Sequence, residues 1–260
     1  MMQMHKLFYK KKFDQHFLKD QNIAKKIVNY LSFKNYNTVV EVGPGLGILT
    51  QYLLANPSNH VFLIEIDKEL ISFLKRKFFI PKNQILHKNF LKWNPEEIKL
   101  KNFAIIGNFP YKISSQILFH ILKYYQYIPE CVGMFQKEVA KRITSYKGKK
   151  TYGILSVLVQ TFYEVKYLFT VTEKVFFPIP NVQSAVISLK RKNEIIYCNQ
   201  NMLFQCVKIA FNQRRKKLKN SLKFFNHIPN FHKIPFLNKR AEELSVKEFL
   251  KLTKEIEIRK

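Results

Sequence analysis

Two short stretches of this chain combine residue types suited to chemistry rather than packing. The first, VVEVGPGLGILTQYL, sets Gly43, Gly45 and Gly47 behind a β-branched run and ahead of a helical pattern expected to begin near Leu46. Glycines at such a turn let the backbone bend sharply and let a ligand approach the N–H groups of the helix start, which attract negative charge. The dinucleotide fingerprint G-x-G-x-x-G is not met, because the third glycine arrives one residue early and Ile48 stands in its place. Glu41 precedes the first glycine, and Glu65 closes the next apolar run, where a carboxylate would accept both hydroxyls of a ribose. The second stretch, IIGNFPY (Ile105 to Tyr111), ends a strand-like run in an amide, a ring, a proline and a phenol. A turn accounts for Asn108 and Pro110, but not for two rings bracketing the proline.

Such residues need a scaffold that gathers the ends of several strands. Apolar runs at Thr38–Gly43, His60–Asp67, Asn83–Phe90, Phe103–Phe109, Glu130–Gln136, Tyr163–Val171 and Ser184–Lys192 are strand candidates. The segments between the first five have the length of right-handed helical crossovers, which predicts a doubly wound α/β sheet with helices on both faces. After Lys192 the pattern changes, and apolar residues recur at helical spacing in NMLFQCVKIAF and SVKEFLKLTKEI. The expected organisation is an α/β domain over residues 1–192 and a small all-helical domain over 193–260.

The chain has 260 residues and 47% apolar content, enough for a sizeable core, and no run of the roughly 18 to 20 apolar residues that a membrane span requires. The N-terminal stretch MMQMHKLFYKKKF lacks the apolar region and cleavage site of a secretory leader, and three scattered cysteines suit neither a disulfide framework nor a zinc site. A cytoplasmic, reducing compartment, no metal and no membrane partner are the expectation. The net charge of +27 points to a polyanion, although an excess that is mostly Lys, in a chain rich in Asn, Ile, Phe and Tyr, is also what AT-rich coding produces. The position of the charge is more telling than its total. Ile195 to Asn226 contains no acidic residue, while Arg214, Arg215, Lys216, Lys217 and Lys219 cluster between Gln205 and Lys223. Val207, Phe211, Leu218 and Leu222 fall on one face if this stretch is a single helix, leaving the basic side chains on the others to grip phosphates.

E-x-G-x-G-x-G followed by an acid at the tip of the second strand resembles the cofactor site of Rossmann-like methyltransferases that use S-adenosylmethionine. Glu41 would suit that ligand's cationic ammonium and sulfonium. NFPY in turn resembles the N/D-P-P-Y/F motif of enzymes that methylate exocyclic amines of bases. An adenine N6 lone pair is delocalised into the ring and must be aimed at the methyl group. The side-chain oxygen of Asn108 and the carbonyl of Pro110 would hold the two N–H bonds, and proline stiffens the loop that carries them. Tyr111 would stack on the base, worth roughly 1 to 3 kcal/mol. A neutral thioether leaving group asks for no general base.

The resemblance extends along the chain. FDQHFLKD, EVGPGLGILT, NFPYKISSQILFHIL, MFQKEVAKRI, TYGILSVLVQ, FFPIPNVQSAVISL and AFNQRRKKLKNSL are similar, in order, to motifs of the ribosomal RNA adenine dimethyltransferase family of the KsgA/RsmA type. That resemblance implies N6,N6-dimethylation of two adjacent adenines in the 3′-terminal hairpin of small-subunit rRNA, by a monomer acting on immature small subunits during ribosome biogenesis. It implies cofactor contacts at His16, Leu18, Gly43, Gly45, Glu65, Asn89 and Asn108. Phe176 is expected to cover the adenine face opposite Tyr111, with Phe109 packing behind the loop. His16 stands where Asn is frequent, Asn89 where Asp is usual, its amide oxygen able to accept the bond from the cofactor's adenine amine, and Phe109 where Leu is usual. A large-subunit adenine methyltransferase of the antibiotic-resistance type shares the glycine loop and the N-x-P-Y/F motif, but AFNQRRKKLKNSL and TYGILSVLVQ favour the small-subunit enzyme. A non-catalytic assembly factor is disfavoured by intact Asn108, Pro110 and Tyr111, and a dehydrogenase by the glycine spacing.

Overall fold

The computed structural model describes residues 8, 10, 15–194 and 196–260. Phe13 and Asp14, which open FDQHFLKD, lie outside them, as does most of the basic N-terminal run. In chain order the strands are β1 (Phe17–Leu18), β2 (Thr38–Val42), β3 (His60–Glu65), β4 (Ile85–His87), β5 (Phe103–Asn108), β6 (Glu130–Gln136), β7 (Tyr163–Val171), β8 (Phe176–Phe177) and β9 (Ser184–Arg191). The helices are α1 (Gln21–Val28), α2 (Thr50–Leu53), α3 (Lys68–Lys77), α4 (Ser114–Lys123), α5 (Lys137–Ile143), α6 (Ile154–Phe162), α7 (Gln200–Asn212), α8 (Leu218–Ser221) and α9 (Val246–Arg259).

The main sheet runs β4-β3-β2-β5-β6-β9-β7. Its first five strands are mutually parallel, and β9 returns antiparallel to β6. Val40 of β2 is in register with Phe62 of β3 and Ile105 of β5, and Val39, Val40, Ala104, Ile105 and Ile106 are all fully buried. Continuous apolar runs such as TVVEV and FAIIGN are therefore what strands covered on both faces require. The chain steps outward from β2 to β3 and β4, then crosses back to β5 on the other side of β2. That switch point opens a crevice at the carboxyl ends of β2 and β5, which is where glycines and NFPY lie.

Local chemistry sets the element ends. Asp20 caps α1 by accepting from the Ile23 N–H, and Asp67 caps α3 by accepting from the Glu69 N–H. The helix expected near Leu46 begins only at Thr50 and lasts one turn. Gly47 has φ +77, outside the right-handed helix, and a Cβ there would lie 2.3 Å from the Phe78 ring. β4 is shorter than Asn83–Phe90, because Lys82–Gln84 and Phe90–Lys92 are tight turns on either side of it.

The chain divides into two compact units, Met1–Ala140 with Lys166–Arg191, and Lys141–Val165 with Lys192–Lys260. The expected division at residues 192 and 193 differs from this one, in which 141–165 groups with the C-terminal segment. The physical reason is α6, whose ILSVLVQTF is apolar on most sides and needs neighbours beyond a single face. Within this second unit α6, α7 and α9 pack on one another, burying Val157, Leu158, Leu203, Val207, Phe249 and Leu252. Phe211 stacks on Phe249 with centroids 5.7 Å apart, and the Tyr152 hydroxyl donates to the Leu244 carbonyl at 2.8 Å. Ser245 and Glu248 form a reciprocal cap at the start of α9.

In the first unit the ring of Phe109 is buried behind the NFPY loop, in a slot between two glycines of adjacent strands. A Cβ on Gly107 would lie 2.8 Å from the Phe109 ring, and one on Gly133 only 2.1 Å from it. The ring also meets Phe135 at 4.9 Å. Gly133→Ala is expected to destabilise the protein by about 1–3 kcal/mol through overpacking. Phe109→Leu should relieve part of that loss, so urea unfolding of the double variant should show a smaller destabilisation than the sum of the two single ones.

Candidate active site

A cavity of about 320 Å³ lies at the strand ends, lined among others by His16, Leu18, Gly43, Glu65, Asn89, Asn108 and Tyr111. Gly43 and Gly45, at the end of β2, have φ +67 and +56. A Cβ on Gly43 would meet no protein atom within 4 Å, so the glycine leaves room beside the cavity wall. Glu65, at the end of β3, accepts the N–H groups of Ile66 and Asp67 on Oε1 at 2.8 and 3.0 Å, and that of Gly45 on Oε2 at 3.3 Å. The acid is thereby locked in one rotamer and tied to the glycine loop. Burial raises its pKa, and those three N–H groups oppose the rise.

Glu41 is fully buried within β2 and accepts the Thr50 hydroxyl at 2.6 Å. Burial pushes its pKa up to about 8; Thr50 and, more weakly, Lys77 draw it down, while Glu65 adds to the rise. It is therefore largely a neutral acid at pH 7. Asn89 turns its amide oxygen onto its own chain, accepting from the Leu91 N–H at 2.9 Å to cap the Phe90–Lys92 turn. The acceptor expected to face the cofactor's adenine amine thus already holds a backbone donor. Leu18 lines the cavity from β1 and is otherwise packed into the core.

Asn108 closes β5 at the opposite wall. Its Nδ2 donates to the His16 carbonyl at 2.8 Å, which leaves Oδ1 on the other side of the planar amide as an acceptor. Pro110 adopts φ −58 and ψ 131, and its carbonyl precedes a tight turn over Tyr111–Ile113. Ser114 donates to the Tyr111 carbonyl at 2.9 Å, nearer than the 3.3 Å to that of Pro110. The Tyr111 hydroxyl shares a 2.5 Å hydrogen bond with Ser184 Oγ, at the start of β9. Ser184 lies within FFPIPNVQSAVISL, but a lone serine in a strand carries no spacing signal that marks it.

Phe176 is not a wall of this cavity. It is fully buried in a hydrophobic core cluster, and β8 pairs with β1 so that Phe176 sits opposite Leu18. Strand alternation turns it inward. Tyr111 does stack on His16, with centroids 5.3 Å and planes 24° apart.

The basic cluster is also rearranged. The helix expected through Gln205–Lys223 stops at Asn212, because Gln213 leaves helical geometry at φ −121 and ψ 50, and it resumes only at Leu218. Val207, Leu218 and Leu222 are buried as their spacing implied. Arg214 is a brace rather than an outward cation: its Nε meets Glu242 at 2.5 Å, and its guanidinium donates to the Lys150 and Lys149 carbonyls at 2.7 and 3.2 Å. Arg215, Lys216, Lys217 and Lys219 are exposed.

The acid in β2 gives a stability prediction. With a folded pKa of about 8 against an ordinary value near 4.5, Glu41 keeps its proton in the folded state across a window where the unfolded chain has lost it. The stability that Glu41 contributes is therefore fully present below the lower value and falls as pH rises through the window. Thermal unfolding between pH 5 and 8 should show a smaller decline for Glu41→Gln than for the unaltered protein.

The ribosomal RNA adenine dimethylase family model matches residues 7–257. Ribosomal RNA small subunit methyltransferase A of Flavobacterium johnsoniae is 51% identical over 256 residues, covering 98% of this chain and 98% of its own length. The protein of the same name from Cytophaga hutchinsonii is 51% identical over 257 residues, covering 96% and 98%. Among solved structures, a dimethyladenosine transferase from Plasmodium falciparum superposes with a TM-score of 0.80 at 27% identity over 94% of this chain and 98% of that one. The 23S rRNA methyltransferase ErmE superposes with a TM-score of 0.68 at 23% identity, over 93% and 99%, a likeness of fold alone. With its sheet, its glycine loop and its NFPY wall in place, the chain belongs to the ribosomal RNA adenine dimethylase family.

Proposed function

We propose that this protein uses S-adenosylmethionine to dimethylate N6 of two adjacent adenines in the 3′-terminal hairpin of small-subunit rRNA. It does so as a cytoplasmic monomer acting on immature small subunits. The observation that carries this reading is that one cavity holds both halves of the chemistry, Gly43 and Glu65 on one wall and Asn108, Pro110 and Tyr111 on the other. Membership of the family supports it, as do the names of the 51% identical relatives.

The residues fit the cofactor. Glu65 is a fixed acceptor for ribose hydroxyls, the glycines leave the loop wall open, and buried Glu41 can ionise against a cation. S-adenosylmethionine supplies an electrophilic methyl group and leaves as a neutral thioether. What remains for the protein is orientation. Asn108 Oδ1 and the Pro110 carbonyl each take one N–H of the adenine amine, which bends it toward tetrahedral geometry and aims its lone pair. Tyr111, held by Ser184, takes one face of the base. A base so placed has left its stack, which suits single-stranded or splayed-out RNA. Among the cluster in the second unit, Arg215, Lys216, Lys217 and Lys219 are the side chains proposed to meet rRNA phosphates, with Arg214 holding the neighbouring backbone.

Asn108→Ala should lower methyl transfer to undermethylated small subunits by roughly 10²-fold or more, with RNA affinity almost unchanged. Equal loss of binding and turnover would sink the orienting role. Arg215→Glu combined with Lys219→Glu should weaken RNA binding and flatten its dependence on salt by about one unit of slope per lost phosphate contact. Arg214→Glu should differ by lowering thermal stability as well, since it strips two carbonyls of their donor.

A further inference from the structure

Three interactions fix His16 in place. Its carbonyl takes the Asn108 amide, its Nδ1 lies 2.8 Å from the Pro178 carbonyl, and its ring stacks on Tyr111. A carbonyl only accepts, so Nδ1 is the donor in that bond. His16 and Tyr111 line the same cavity as Asn108 and Pro110.

The spacing of the two rings decides what this stack is. A base lying between them needs two stacking layers of about 3.4 Å each, about 7 Å in all. The centroids are 5.3 Å apart, so the imidazole and a base cannot share this face of Tyr111.

We propose that His16 is a stand-in for the target adenine. Its imidazole occupies the stacking face of Tyr111 until a base displaces it, which makes His16 a positioning residue of the acceptor slot. This rests on the reading of the cavity as an adenine slot. With the hydroxyl of Tyr111 on Ser184 and its face on His16, the ring is already in its stacking orientation before RNA arrives. The stand-in also sets a threshold. An incoming base must regain by stacking and by its two N–H bonds what the imidazole gave up. A purine, with the larger face, does so more readily than a pyrimidine carrying a similar amine.

The test uses the full-length protein without cofactor and a hairpin RNA carrying 2-aminopurine at a target position, whose fluorescence reports departure from the RNA stack and arrival on a protein ring. His16→Ala and His16→Asn both keep the carbonyl that holds Asn108. Each should tighten capture of the base by about 2- to 10-fold, the worth of one aromatic pair. In a Tyr111→Ala background the same His16 substitutions should have no effect. Weaker capture after His16→Ala, or tightening that persists without Tyr111, overturns the proposal. If Tyr111→Ala alone leaves the signal unchanged, the adenine-slot reading fails instead, so the two failures are told apart.

Discussion

A planar amide offers a donor on one edge and an acceptor on the other, so the bond from Asn108 Nδ2 to the His16 carbonyl decides what the cavity sees. Were the amide reversed, two oxygens would face each other and the cavity wall would present a donor to an incoming amine. The rest of the first unit serves this orientation. Parallel pairing of β5 with β2 and β6 ends the strand at Asn108, and the glycines at 107 and 133 seat Phe109 so that the loop turns after it. β1 is held against β8, which fixes the segment carrying His16.

The same bond joins the two halves of the site. The segment that brings His16 and Leu18 to the cavity is the segment that orients Asn108. Order in one is therefore felt in the other, and a transferase benefits when both partners are aligned before reaction. The buried carboxyl groups act on the opposite wall. Glu65 is oriented by three backbone donors, while Glu41 holds a proton that a cationic ligand would displace.

Much of this was legible in the residues. Strands buried on both faces announce themselves as apolar runs, and β6 has the expected bounds. The glycine spacing, Glu65 and NFPY converge on the cavity because a switch point must gather strand ends. What failed depends on tertiary context. Phe176 and Phe177 are adjacent rings in a two-residue strand, and only its pairing with β1 tells which one turns inward. Arg214 reads as one cation among several until Glu242 and two carbonyls, far along the chain, are found around it. The periodicity through Gln205–Lys223 spans a break, since buried positions can keep their spacing when a turn replaces part of a helix. The place of α6 in the second unit is likewise a matter of packing rather than of local pattern.

The cavity is proposed to hold adenine amines of small-subunit rRNA for methyl transfer. The most direct test is to incubate the protein with undermethylated small and large subunits and labelled S-adenosylmethionine, then to map the modified bases by mass spectrometry. The expected product is N6,N6-dimethyladenine at two adjacent positions in the 3′-terminal hairpin of the small-subunit RNA. Label confined to large-subunit RNA, or absent from both, would contradict it.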